Sequence, residues 1–249
     1  VIAPRCKELE RELRRVDAVL AETRQARLEL GNQEDEFVIR AEALAEQVVP
    51  AIVDSRASGV PIRVWSAGCA SGEEAYSLAM VFAEHLGIDG FIERVKIFAT
   101  DVDDDALAQA RAALYPESRM EAVSAERRER FFTPTPEGFQ FRADLRRCVV
   151  FGHHDVTRDA PISRVDLLVC RNVLIYLLAD TQKGVLDRFH YALRDGGRLF
   201  LGRAESILAH ASLFRPIVTS GGVFAEALPS TTRQIPDPTR ARPTVDDAR

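Results

Sequence analysis

Between residues 62 and 202 short apolar runs alternate with helical patterns, and that alternation leaves few folds open. Strands are predicted at 62–67, 94–100, 147–152, 165–170 and 197–202, and helices at 72–87, 103–113 and 180–194. Strands separated by helices pair in parallel through crossovers, so the chain is expected to be α/β, with a doubly wound, mostly parallel sheet. Ligands of such sheets gather at the carboxyl ends of the strands, where the strand order reverses. Residues just past each predicted strand are therefore the candidates for function.

The flanks and one interruption complete the plan. Leu9, Leu13, Val16 and Leu20 follow helical spacing within 5–31, and Phe37, Ile39, Leu44, Val48 and Ile52 continue it over 35–53. The first helix has two open readings, a helix laid on the domain or solvated, and a short coiled coil joining other modules. Residues 115–146 break the alternation with a charged helical patch, Ser124 to Phe132, and a hairpin pattern, as a small β insertion does. The expected domains are an N-terminal helical segment or linker over 1–41, a main domain over 42–227, and a disordered tail or linker over 228–249, where Pro, Thr, Arg and Asp replace the apolar pattern.

With a net charge of −5 and 29% charged residues, the composition gives no support to a nucleic-acid surface. No apolar run is long enough to span a membrane and no signal-peptide pattern opens the chain, so membrane insertion and secretion are not expected. Cys6, Cys69, Cys148 and Cys170 are widely spaced, which favours buried thiols in a reducing, cytoplasmic setting over disulfides or zinc. Val1 in place of an initiator Met admits that the numbered chain is a fragment.

Four clusters follow predicted strands. After the first, Ala67-Gly-Cys-Ala-Ser-Gly-Glu-Glu74 offers a small-residue turn in which Gly68 lets the backbone approach a ligand. Glu73 and Glu74 then either pair with a ligand ammonium or complement the helix dipole. After the second strand, Asp101-Val102-Asp103 places an acid where both hydroxyls of a ribose can be accepted, or where the next helix is capped. Gly68 and Gly72 do not form G-x-G-x-x-G and no P-loop Lys follows, so an adenosyl compound without a polyphosphate fits better than a dinucleotide.

The third cluster is His153-His154-Asp155-Val156, where Asp155 suits an adenine amino group and the Val156 amide a ring nitrogen. No metal is expected, because adjacent residues on a strand end point in opposite directions and no third ligand is near in sequence. The fourth is Arg171-Asn172 with Tyr176. The guanidinium orients a carboxylate bidentately. Tyr176 either reaches the reacting oxygen or packs among Leu174, Ile175 and Leu177.

Read in order, residues 63–77 (RVWSAGCASGEEAYS), 98–103 (FATDVD), 170–176 (CRNVLIY) and 199–206 (LFLGRAES) resemble the CheR family of S-adenosylmethionine-dependent chemoreceptor glutamate methyltransferases. The likeness covers roughly residues 42 to 226 and implies a Rossmann-like class I methyltransferase fold. It implies S-adenosylmethionine as cofactor, with S-adenosylhomocysteine as product. Ala67, Gly68, Glu74, Asp101, Val102, Asp155, Val156, Arg171 and Asn172 are then expected at the cofactor, and Arg171 and Tyr176 beside the reacting methyl and the acceptor carboxylate.

The implied partner is a chemoreceptor-type signalling protein. Residues 159–166 (DAPISRVD) are most like members fused to sensory or methylesterase modules, so fused or partner sensory modules are a further expectation. Asp155 stands where enterobacterial members have an asparagine, and the stretch Gly31–Arg40 departs from the family's Thr-x-Phe-Phe-Arg-Asp segment. The insertion at 115–146 sits where the family has its small β-subdomain.

Overall fold

A computed structural model describes residues 44–57, 59–202, 213–219 and 222–229. The expected helix at 5–31, the departure at 31–40, the Arg203-to-Ser206 motif and the tail beyond 229 lie outside these residues. The described main sheet has seven strands in the order β6-β2-β1-β7-β8-β10-β9. They are β1 Ile62–Ala67, β2 Val95–Asp101, β6 Val149–His153, β7 Val165–Cys170, β8 Leu193–Leu201, β9 Phe214–Thr219 and β10 Gly222–Ala227. β1 pairs in parallel with β2 on one side and β7 on the other, so the strand order reverses between β1 and β7. The doubly wound, mostly parallel sheet expected from the alternation is the one found. β10 runs antiparallel to both β8 and β9.

The central strands owe their position to their side chains. All six residues of β7 are buried, including Asp166, as expected of a strand covered on both faces. In β1 the alternation of faces turns Trp65 and Ala67 toward one core, shared with Phe189, Val185 and Leu186. Ser66 is thereby turned to the opposite face. The helices are α1 Val49–Asp54, α2 Glu73–Arg94, α3 Asp104–Ala112, α4 Ala125–Phe131, α5 Ala143–Arg146 and α6 Ala179–Ala192. Leu44–Val48, before α1, is a turn of π-helix. Helix α2 is apolar almost all round, burying Ala75, Tyr76, Leu78, Ala79, Met80, Val81, Phe82 and Ala83, and a helix of that kind belongs in the interior.

Several expected boundaries shift, three of them with a visible local cause. The helix predicted to end at 87 breaks there, because Gly87 has φ 76° and ψ 164°, and then resumes to Arg94. The strand predicted at 147–152 runs from Val149 to His153, after a short helix, α5, that was not expected. The strand predicted at 197–202 starts at Leu193, with a bulge that shifts its register against β7 between Val165 and Leu167. At the bulge Gly196 has φ 73°, and a Cβ on Gly197 would lie 2.9 Å from the Arg194 carbonyl oxygen. Only glycines pass this point without displacing the backbone.

The insertion is a three-stranded sheet in the order β3-β5-β4, built from β3 Leu114–Tyr115, β4 Phe132–Thr135 and β5 Gly138–Phe141. The hairpin expected within 115–146 is β4–β5, and the charged patch is α4, capped by the Ser124 hydroxyl accepting from the Arg127 amide. Gly138 has φ 139°, and a Cβ there would lie 2.2 Å from the Tyr115 carbonyl oxygen. That close approach lets β3 join the hairpin. Cys69, Cys148 and Cys170 are buried free thiols. No helix among the described residues is long and apolar enough to cross a membrane.

Candidate functional site

The loop between β1 and α2 is fastened to the end of β2. Gly68 takes φ 80°, which bends the chain so that the Gly68 and Cys69 amides both donate to the Thr100 carbonyl, at 2.7 and 3.0 Å. Both amide hydrogens are thus turned to β2, which leaves the missing side chain of Gly68 as the feature that opens the backbone to a ligand. Ala70, strained at φ 45°, donates its amide to Asp101 Oδ2 at 2.8 Å, and the Asp103 amide donates to Oδ1 at 3.1 Å. Asp101 is 2% exposed, so it braces the loop as well as ending the strand. Gly72, at φ 92°, caps α2, and a Cβ there would come within 2.9 Å of Ala110 Cβ.

The two acids opening α2 have different partners. Glu73 accepts from the Ser71 hydroxyl at 2.7 Å and forms an ion pair with Arg119 of the insertion. Tyr115, also of the insertion, donates its hydroxyl to the Ser71 carbonyl at 2.9 Å. Burial, with the Glu73 carboxylate nearby, drives the Tyr115 hydroxyl pKa far up, so it remains a donor. Burial likewise raises Tyr76 to about 12, and its hydroxyl donates to the Ala110 carbonyl. Glu74 points the other way. Its Oε1 accepts from Ser66 Oγ at 2.6 Å, and its Oε2 lies 3.8 Å from Arg171 Nη1, with side chains 14% and 11% exposed.

Glu74 and Arg171 thus meet across the switch point, one from the helix after β1 and one from the residue after β7. Asn172 follows in the left-handed region at φ 55°, a conformation asparagine tolerates better than most residues. Tyr176 closes a 3-10 turn, Leu174–Tyr176, and is 37% exposed, whereas Leu174 is buried. That exposure fits a Tyr176 side chain open to a ligand better than one packed in the core.

At the end of β6 the His154 amide donates to the Asp101 carbonyl, continuing the β2 pairing. Asp155 Oδ1 accepts from the Thr157 amide and hydroxyl at 2.8 and 2.6 Å, and Oδ2 lies 3.6 Å from Arg158 Nε. Val156 packs against the core cluster, and Val102 is 51% exposed. His154 sits edge-on to Trp65 at 5.3 Å. Among the described residues no group of three or more His, Cys, Asp or Glu side chains stands together as a metal set.

Among the described residues one rim carries the carboxylates of Glu74, Asp101 and Asp155 and the guanidinium of Arg171, at the carboxyl ends of β1, β2, β6 and β7 or just beyond. This set matches the chemistry of an adenosyl amino acid: acceptors for an amino group, ribose hydroxyls and an ammonium, and a cation for a carboxylate. Residues 39–222 match the family described as CheR methyltransferase, SAM binding domain. The chain belongs to the CheR methyltransferase family. It is 38% identical over 170 residues to the chemotaxis protein methyltransferase of Listeria monocytogenes, covering 68% of this chain and 62% of that protein. With chemotaxis protein methyltransferase 1 of Pseudomonas aeruginosa it shares 32% identity over 191 residues, 75% of this chain and 69% of that one.

An uncharacterized 104.1 kDa protein of Rhodobacter capsulatus is 42% identical over 165 residues, 66% of this chain and 17% of that protein. The chain thus spans less than two thirds of the Rhodobacter and Listeria relatives. Its matched region is the S-adenosylmethionine-binding domain of the CheR family, the cofactor the sequence motifs imply.

Sequence reasoning did not find Ser66, Tyr115 or Arg119, which hold the loop and its acids. A buried hydroxyl inside an apolar strand was the available signal for Ser66. The loop predicts its own test. Asp101→Ala removes the acceptor of the Ala70 amide together with the acid at the end of β2. S-adenosylhomocysteine affinity, measured by calorimetry, is expected to fall by about tenfold or more. Unaltered affinity would leave Asp101 a bracing residue only.

Proposed function

We propose that this chain transfers the methyl group of S-adenosylmethionine to glutamate side chains of chemoreceptor-type signalling proteins, forming glutamyl methyl esters. The observation that carries the reading is the nearly buried Glu74–Arg171 pair at the switch point, within a domain of this family. Bound there, the cofactor supplies a methyl carbon made electrophilic by the sulfonium. Asp101 would hold the ribose and Asp155, through Oδ2, the adenine amino group. Glu74 would take the ammonium of the cofactor's methionyl part, Arg171 would lie beside that part as well as beside the acceptor, and Ala67, Gly68, Val102, Val156 and Asn172 would complete the walls.

Arg171 and Tyr176 would receive the incoming acceptor. A glutamate carboxylate has an ordinary pKa of about 4.3, so it arrives already ionised and needs no general base. Arg171 would align its oxygens, with the half-exposed Tyr176 hydroxyl as a second donor. Alignment and exclusion of water are then the main sources of rate, and such positioning supplies roughly 7–11 kcal/mol at most. Fused or partner sensory modules are a further part of the reading, supported by the Rhodobacter relative, only 17% of which this domain matches. A cytoplasmic setting fits the three buried free thiols.

Transfer of tritiated methyl groups to a panel of purified chemoreceptor signalling domains tests the acceptor. Label released as methanol by mild alkali is expected, as from a carboxyl ester. Alkali-stable label would assign another acceptor atom. Binding of S-adenosylhomocysteine without transfer to any domain of the panel would favour a different acceptor or a binding module.

A further inference from the structure

We propose that Ser66 is a positioning residue for this site, acting through Glu74 on Arg171; the proposal rests on the cofactor assignment made above. Ser66 lies within β1, where the other fully buried side chains, Ile62, Val64, Trp65 and Ala67, are all apolar. Ser66 is itself 0% exposed, so it touches neither cofactor nor acceptor. A hydroxyl in such a place costs stability unless it is hydrogen-bonded, and an alanine or valine would fill the space without that demand. Its partner is Glu74 Oε1 at 2.6 Å, the length of a charge-assisted O–H···O⁻ bond.

The effect of that bond is orientational. A glutamate side chain at the start of a helix has several rotamers available, and fixing one oxygen selects among them. With Oε1 held by Ser66, Oε2 is the oxygen that faces Arg171 Nη1 at 3.8 Å. Ser66 pairs laterally with Val169 of β7, two residues before Arg171, so β1 and β7 are already in register beneath the pair. Strand β1 therefore sets the acid, the acid sets the guanidinium, and the guanidinium faces the ligands. Glu73 does not share this chain, because its carboxylate is taken by Ser71 and Arg119.

The test is a double-mutant cycle read by S-adenosylhomocysteine calorimetry on wild type, Ser66→Ala, Arg171→Ala and the double variant. Ser66→Ala alone is expected to weaken affinity about tenfold, the effect of losing a hydrogen bond to a charged group. In the Arg171→Ala background the same change is expected to weaken it less than about twofold, because the oriented pair is already gone. Equal effects in both backgrounds, or no effect of Ser66→Ala, overturn the proposal. A serine serving only the fold would lower the melting temperature and leave the cycle additive. If Ser66→Ala does not fold, Ser66→Cys, with its weaker donor, takes its place in the cycle. Wild type that binds S-adenosylhomocysteine but methylates no receptor domain leaves this cycle readable and sinks only the acceptor assignment. Wild type with no such affinity sinks both.

Discussion

Arg171→Ala is expected to lower methyl transfer at saturating S-adenosylmethionine by about 10²- to 10³-fold, the usual loss when one preorganised donor is taken from a reacting centre. The side chain is 11% exposed and faces a carboxylate that is itself 14% exposed, so its charge acts where water screens it poorly. Removing it deprives an anionic acceptor of the cation that holds it and takes the guanidinium away from Glu74. Approach of a second negative carboxylate then meets repulsion in place of attraction. Arg171→Lys keeps the charge but not the planar fork, and is expected to recover only part of the rate. Tyr176→Phe, at a more exposed position, is expected to cost less than either. The measurement is single-turnover methyl transfer beside S-adenosylhomocysteine calorimetry and a thermal melt. Wild-type turnover in Arg171→Ala would remove the assigned role.

The parts of the fold legible in the sequence were those whose cause is local. β1 and β7 fall where predicted because Pro61, Gly68 and the apolar run 165–170 punctuate them. The acids and the arginine were found because the fold places strand ends together, and a residue just past a strand needs only the strand to be right. The β9–β10 hairpin was not predicted. Its signal, two apolar runs around Ser220-Gly-Gly222, was present, but Pro216 argues against a strand. β9 is the edge of the sheet, where a proline is tolerated, and Pro216 sits opposite Ala225. Contacts that join distant segments were invisible. Neither Ser66 beneath Glu74 nor Tyr115 against Ser71 has a local pattern that announces it, since each depends on how the sheet and the insertion close.

The same blindness hid the charged knot at the opposite end of the sheet, where the second large effect is expected. Asp166 is the second residue of the fully buried β7, where its carboxylate is 3% exposed, and an acid so placed must be paired. Its Oδ2 accepts from the Arg63 amide at 2.9 Å, and its Oδ1 lies 2.8 Å from Arg194 Nη1 and 3.0 Å from Arg56 Nε. One side chain therefore ties the segment after α1, the start of β1 and the bulge of β8 to the central strand. A cavity of about 170 Å³ adjoins it, lined also by Ile52, Arg198 and Glu226, so a lost carboxylate is not replaced by collapse of apolar groups.

Asp166→Ala leaves two guanidinium groups and one backbone amide without their common acceptor. The expected loss is about 3 kcal/mol, the lower end for breaking a buried ion pair, because Arg56 and Arg194 keep 21% and 31% exposure. For a domain of this size that corresponds to a fall of roughly 6–12 °C in melting temperature. Arg158→Ala, which removes a cation 84% exposed, is expected to change stability by less than about 0.5 kcal/mol. Asp166 and Arg171 stand at opposite ends of one strand, about 16 Å apart at the usual rise per residue. Below its lowered melting temperature Asp166→Ala should therefore bind S-adenosylhomocysteine like wild type. A loss of affinity without a loss of stability would mean that the knot acts on the site rather than on the fold.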